Sequence, residues 1–311
     1  MHTKQQQTIG TQARERFSAL TANLTALLGS PDIIGLIDRF IASFDDLPAY
    51  AGYKHIPPVA NQLNRQMQQR LGTPATHDFL YACILKAISR TLDSVAFARL
   101  PIRVKGHQLK QFSRIVSEPS GVIQSSEMDN DLFHKDLGLA LMRLYAAAAQ
   151  LVDYRAGVGR ILLTKGGLMD MPRRLVIFAK VGGFKPFFEI HTHLSYLDEF
   201  NEEGWNECYR CCVDLYVLHP KVLGMHGGSW FYDPALDKIS PRLGYLREIP
   251  QKGGAYVLFD SINEQSTQDA ISTSPTRKKL YTEGAYQPQS HALIWPRAAQ
   301  INWAKNNQGI G

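Results

Sequence analysis

The chain has few of the residues that mark a specialised class of protein. Only four cysteines occur among 311 residues, Cys83 and the group Cys208, Cys211 and Cys212. They are too few and too unevenly placed for a disulfide framework. The longest apolar run, Leu137 to Val152, is interrupted by Arg143 and followed by Asp153, so it does not read as a membrane span. Met1 to Gln7 is polar and lacks the apolar stretch of a secretory signal. No block of one charge stands out. The formal charge is +6, but 17 basic and 13 acidic residues precede Ala156 and 17 and 15 follow Arg155, so the excess forms no basic arm of the kind nucleic-acid proteins carry. The phosphate-loop and dinucleotide-binding glycine patterns are absent, as are repeats of 20 to 50 residues. These absences lead us to expect a cytoplasmic globular protein with a small-molecule partner and neither a nucleic-acid nor a membrane partner.

What is present divides the chain near residue 156. Residues 1–156 read as mainly helical. Gln12 to Leu28 repeats apolar residues at helical spacing, with Gly29 placed to end it. Ser30-Pro31 supplies an N-cap and first-turn proline for a second helix, whose buried face is drawn from Ile33 to Phe44. Pro57-Pro58 opens a helix that stops at Gly72, and another spans Thr76 to Leu92. Leu132 to Leu151 reads as the longest helix, and one short strand is expected near Ile102 to Val104. Residues 157–311 change rhythm. Short apolar runs at Ile161–Leu163, Leu175–Phe178 and Phe187–Leu194, separated by glycine pairs, read as antiparallel strands. A helix is expected from Glu202 to Leu218, then a strand from Lys221 to Phe231, a short helix from Ser240 to Glu248 and a strand from Ala255 to Phe259. A helix from Pro275 to Glu283 and a strand at Leu293–Trp295 close the chain. The fold class is α+β: a helical N-terminal half on a mostly antiparallel twisted sheet with flanking helices.

The chemistry-bearing residues gather in the second half. In Phe187-Phe188-Glu189-Ile190-His191-Thr192-His193-Leu194, alternate residues of a strand share a face, so Glu189, His191 and His193 point the same way. A carboxylate beside imidazoles suits acid–base work. It also suits zinc or non-haem iron, with His226 or Asp233 completing a ligand set around His191 and His193. A solvated strand face is the plain alternative. Cys208-x-x-Cys211 lies within a helix and lacks a second pair, so buried cysteines are the simpler reading. Gly227-Gly228 at a strand end permits close approach of a ligand. Ser274-Pro275 caps a helix start that carries Arg277, Lys278 and Lys279, where cations oppose the helix dipole and could meet an anion.

The order of elements in the second half, together with Arg277-Lys278-Lys279-Leu280-Tyr281-Thr282-Glu283-Gly284-Ala285-Tyr286, resembles the acyl-CoA N-acyltransferase superfamily. That fold runs through antiparallel strands, a helix, a strand, a second helix and closing strands. The resemblance implies an acyl-CoA or acyl-carrier thioester as donor and an amine as acceptor. It implies Tyr281 as the acid that protonates the leaving thiolate and Glu189 as the base, with His191 or His193. Arg277 and Lys278 would meet the donor's phosphate, with amide donors near Gly227 and Gly228. The family's basic pyrophosphate loop has no counterpart between His193 and Trp205, where the chain is acidic. Ser229-Trp230-Phe231-Tyr232-Asp233-Pro234 and Ser240-Pro241-Arg242-Leu243 also resemble a bacterial protein group. Three functional expectations follow: an acyltransferase, a metal-dependent hydrolase or oxygenase, or a non-catalytic binding protein.

Overall fold

A computed structural model describes residues 2–29, 32–148 and 150–307. The fold is α+β, about 62% helical, with mixed strand pairing. It separates into two compact units: residues 1–155 with 193–197, and residues 156–192 with 198–311.

The first unit is built from α1 (His2–Leu28), α2 (Ile33–Ala42), α3 (Pro58–Leu92), α4 (Val95–Ala98), α5 (Ile102–Ser117), α6 (Pro119–Gln124) and α7 (Asp131–Ala140), followed by strands β1 (Leu144–Ala147) and β2 (Gln150–Ala156). Ile33, Ile37, Phe40 and Ile41 of α2 are buried, as helical spacing requires. The proposed cap Ser30-Pro31 lies outside the described residues. Gly72 takes φ 76° inside α3, a left-handed conformation that glycine tolerates, and it kinks the helix where the sequence placed a stop.

Two expectations fail here. Ile102–Val104 opens helix α5, not a strand, because Pro101 precedes it with φ −52° and ψ 142°, a helix-entry geometry. The expected helix Leu132–Leu151 ends at Ala140, and the chain folds back as an antiparallel hairpin pairing Leu144 with Asp153 and Ala147 with Gln150. Leu144 to Ala147 and Gln150 to Asp153 are all buried. An apolar stretch without alternation reads alike as a buried helix or a buried strand, and alanine's helix propensity tipped the reading the wrong way.

The second unit contains α8 (Met171–Val181), β3 (Phe187–Thr192), α9 (Glu202–Leu215), β4 (Gly224–Ser229), α10 (Leu236–Ile239), α11 (Tyr245–Lys252), β5 (Tyr256–Ser261), α12 (Glu264–Ser272), α13 (Pro275–Thr282), β6 (Ser290–Pro296) and α14 (Arg297–Asn306). Strand β3 runs parallel to β4. Strands β4 and β5 each pair antiparallel with β6. One face of this sheet, through Phe187, Leu258, Ala292 and Ile294, packs on Ile177, Phe178 and Val181 of α8. On the other face Trp295 meets Tyr209 of α9 and Trp303 of α14 at ring distances of 5.0 and 5.3 Å.

The runs Ile161–Leu163 and Leu175–Phe178, expected as strands, are a 3-10 turn (Arg160–Leu163) and part of α8. Arg174, Ile177, Phe178 and Val181 are buried at i, i+3, i+4 and i+7, Pro172 stands in the first turn, and left-handed Gly182 ends the helix. The period over eleven residues is helical, although any four of them look strand-like.

Candidate functional site: a carboxylate between two imidazoles

Strand β3 places Glu189 and His191 on one face, and the parallel register sets Glu189 beside His226 of β4. Glu189 Oε2 lies 3.9 Å from His191 Nε2 and 3.9 Å from His226 Nε2. Both separations are too long for a direct hydrogen bond and short enough for strong charge coupling. The side chains are 36%, 18% and 11% exposed respectively, so the cluster is half-open and a small molecule can reach the carboxylate. Burial lowers the His226 pKa to about 4, which keeps this imidazole neutral at neutral pH.

The β3–β4 register covers only Phe188–Met225 and Glu189–His226, although β4 stays paired with β6 through Ser229. The cluster therefore stands where the parallel ladder ends. Just past it, Gly227 is hemmed in: a Cβ there would lie 2.9 Å from Ile190 Cγ1 and 3.2 Å from the Tyr232 hydroxyl. At Gly228 a Cβ would meet nothing within 4 Å. Tyr232 is fully buried and its hydroxyl has no hydrogen-bond partner among the described residues. Burial pushes its pKa well up, so it stays a neutral O–H. The sequence showed Tyr232 only as one ring in an aromatic run; the proximity of its hydroxyl to Gly227 is a property of the fold.

The other residues singled out from the sequence lie elsewhere. Strand β3 ends at Thr192, and His193 belongs to the first unit. There its Nδ1 accepts a hydrogen bond from the Ser195 amide at 3.2 Å, which leaves Nε2 to face Asp136 Oδ1 at 3.3 Å. Arg114 closes the group with a short ion pair to the same carboxylate. Burial alone would raise the Asp136 pKa, but the His193 hydrogen bond and the Arg114 charge outweigh it and hold the carboxyl below its usual range. This is a buried structural knot, with the His193 side chain 1% exposed.

Arg277 is buried, not offered to an anion. It donates to the Ala270 carbonyl at 2.6 Å, to Ser240 Oγ at 3.0 Å and to Thr273 Oγ1 at 2.8 Å, and it stacks on Trp230. Lys278 is exposed on α13, as is Tyr281. Asp233 is buried and accepts from the Ala235 amide at 2.9 Å and the Gln289 amide at 3.3 Å, so it is engaged as a turn anchor. All four cysteines are buried free thiols. No single described helix is long and apolar enough to cross a membrane. Comparisons with protein-family models, with curated proteins and with solved structures find no match.

Proposed function

We propose that the chain is an acyltransferase that moves an acyl group from a thioester to an amine at the end of the β3–β4 ladder. The observation that carries this reading is Glu189, half-exposed and set between His191 and His226 where the two parallel strands cease to pair. Glu189 accepts the proton of the incoming amine. The amine nitrogen attacks the thioester carbonyl, the carbon–sulfur bond breaks and an amide forms. Amide N–H groups of the Gly227–Gly228 stretch stabilise the tetrahedral oxyanion. The leaving thiolate takes back the proton that Glu189 has accepted from the amine. Tyr232 does not serve here, because Gly227 and Ile190, which its hydroxyl faces, alternate with His226 and Glu189 and point to the other side of the sheet. Asp198 and Glu199 before α9, and Glu202 and Glu203 in its first turn, repel a pyrophosphate there, and Arg277 is already engaged. Of the two cations the resemblance implies for a donor phosphate, only Lys278 is exposed, and we take the donor to be a carrier-bound or small thioester in preference to coenzyme A.

The test is thiol release from acyl thioesters in the presence of primary amines, with the amide product weighed by mass spectrometry. Release that disappears in Glu189→Gln supports the reading. No release from any donor, with the protein folded, defeats it. A second reading rests on the convergence of two imidazole nitrogens on one carboxylate oxygen, a donor set that suits zinc or non-haem iron. Stoichiometric metal in the purified protein, lost in His226→Ala, would favour that reading.

A further inference from the structure

The segment 160–180 of the second unit turns an unusual amount of aliphatic surface outward. Leu168 and Met169, adjacent at a loop tip, are 84% and 95% exposed. Ile161 on the preceding turn, and Leu175 and Val176 on the outer face of α8, are exposed as well. Single exposed aliphatic residues are ordinary, but here five fall within sixteen consecutive positions of one turn, loop and helix.

The loop that carries them is held in place. Arg174, itself buried, donates to the Leu162 carbonyl at 2.5 Å and to Asp170 Oδ2 at 2.6 Å. Gly166 passes so close that a Cβ there would lie 2.4 Å from both Arg174 and Asp170, and Gly167 takes φ 80° in the turn. Leu162 is buried beneath, against Ile177 and Phe178. The exposed pair thus sits on a braced tip.

The charge around the patch has one sign. The exposed ionic side chains of this segment are Arg160, Lys165, Arg173 and Lys180, and its one acid, Asp170, is tied to Arg173 and Arg174. At the C-terminal end of α8 the same sign continues. A shallow cleft of about 400 Å³ is lined by Lys180, Lys221 and Arg297, with no acidic side chain in its wall. Aliphatic side chains at a tip, in a segment whose exposed ionic side chains are all cationic, match a surface that is apolar within and anionic at its boundary.

We propose that residues 160–180 dock the protein on an anionic lipid surface. Leu168 and Met169 enter the acyl–headgroup boundary, Leu175 and Val176 lie along it, and Arg160, Lys165, Arg173 and Lys180 meet the lipid phosphates. This is an interfacial contact, independent of the acyl-transfer reading and distinct from spanning a bilayer. The test is flotation of the full-length protein with vesicles of phosphatidylcholine alone and of phosphatidylcholine mixed with phosphatidylglycerol. The protein is expected to float with the anionic vesicles, at least about tenfold more weakly with neutral ones, and to be released by salt. Leu168→Ser with Met169→Ser should weaken binding by at least about tenfold, whereas Val95→Ser, at an exposed aliphatic position in the other unit, should leave it unchanged. No binding to anionic vesicles, or binding insensitive to the Leu168/Met169 pair, overturns the proposal. So does a concentration-dependent dimer in ultracentrifugation that the same pair abolishes while vesicles stay unbound, since a second copy of the chain would then cover the patch.

Discussion

Two histidine clusters in this protein use the same residue types for opposite ends. Around Glu189, two imidazole nitrogens stand 3.9 Å from one carboxylate oxygen, and the carboxylate is partly open. Around Asp136, His193 and Arg114 close on a carboxylate that is nearly inaccessible. The first arrangement leaves a proton acceptor accessible, which is what reactivity needs. The second satisfies a buried charge completely, which is what stability needs. Only three residues of chain separate Glu189 from His193, so residue type alone does not decide between the two uses.

The largest expected effect lies at the open cluster. Glu189→Gln should lower the turnover of thioester and amine by about 10²–10⁴-fold with little change in melting temperature. A comparable loss of stability would make the cluster structural and erase the contrast. At the closed cluster, Asp136→Ala should destabilise by about 3–5 kcal/mol, because it strands a largely buried guanidinium and a buried imidazole; denaturant titration measures this.

The pH response should separate the two further. The Asp136 pKa is lowered in the fold. Its contribution is therefore present above the unfolded value of about 3.9 and is lost as pH falls through the folded one. His226 is held near 4 by burial, so the unfolded chain binds the extra proton between about 6.5 and about 4, and stability falls as pH drops through that window. His219, also held near 4 by burial, adds a loss of the same sign. Melts of His226→Gln should fall less steeply across that window than wild type, and melts of Asp136→Asn less steeply below it.

A smaller effect probes the site itself. Gly227→Ala, pressed on Ile190, should cost about 1–3 kcal/mol, while Gly228→Ala, in open space, should stay within about 0.5 kcal/mol. The smallest concerns the two tyrosines. Tyr281→Phe and Tyr232→Phe should both leave turnover unchanged, the latter with stability equal or slightly raised, since a buried unpartnered hydroxyl is removed. A loss of turnover in Tyr281→Phe would return the acid role to α13.

Much of the helical first unit was legible because long amphipathic periods, proline starts and glycine stops are local signals. Gly72 shows this well: its place as a breaker was readable, and the structure gives it positive φ. The hairpin at Leu144–Ala156 was not legible. Its buried run lacks the alternation that marks a one-sided strand, and only its surroundings distinguish it from a buried helix. Helix α8 was missed for the opposite reason, since its period shows only over a longer window than the four residues that looked like a strand.

At the site, the sequence by itself set Glu189 beside His191 on one face, because strand geometry alternates side chains wherever a strand forms. It set Arg277 in the first turn of a capped helix as well. Only the tertiary structure decided that His226 joins Glu189, that His193 leaves for Asp136 and that Arg277 is consumed by Ala270, Ser240 and Thr273. Those outcomes depend on strand register and chain path, and the contacts with His226, Asp136 and Ser240 join residues tens of positions apart. No local propensity encodes such distances.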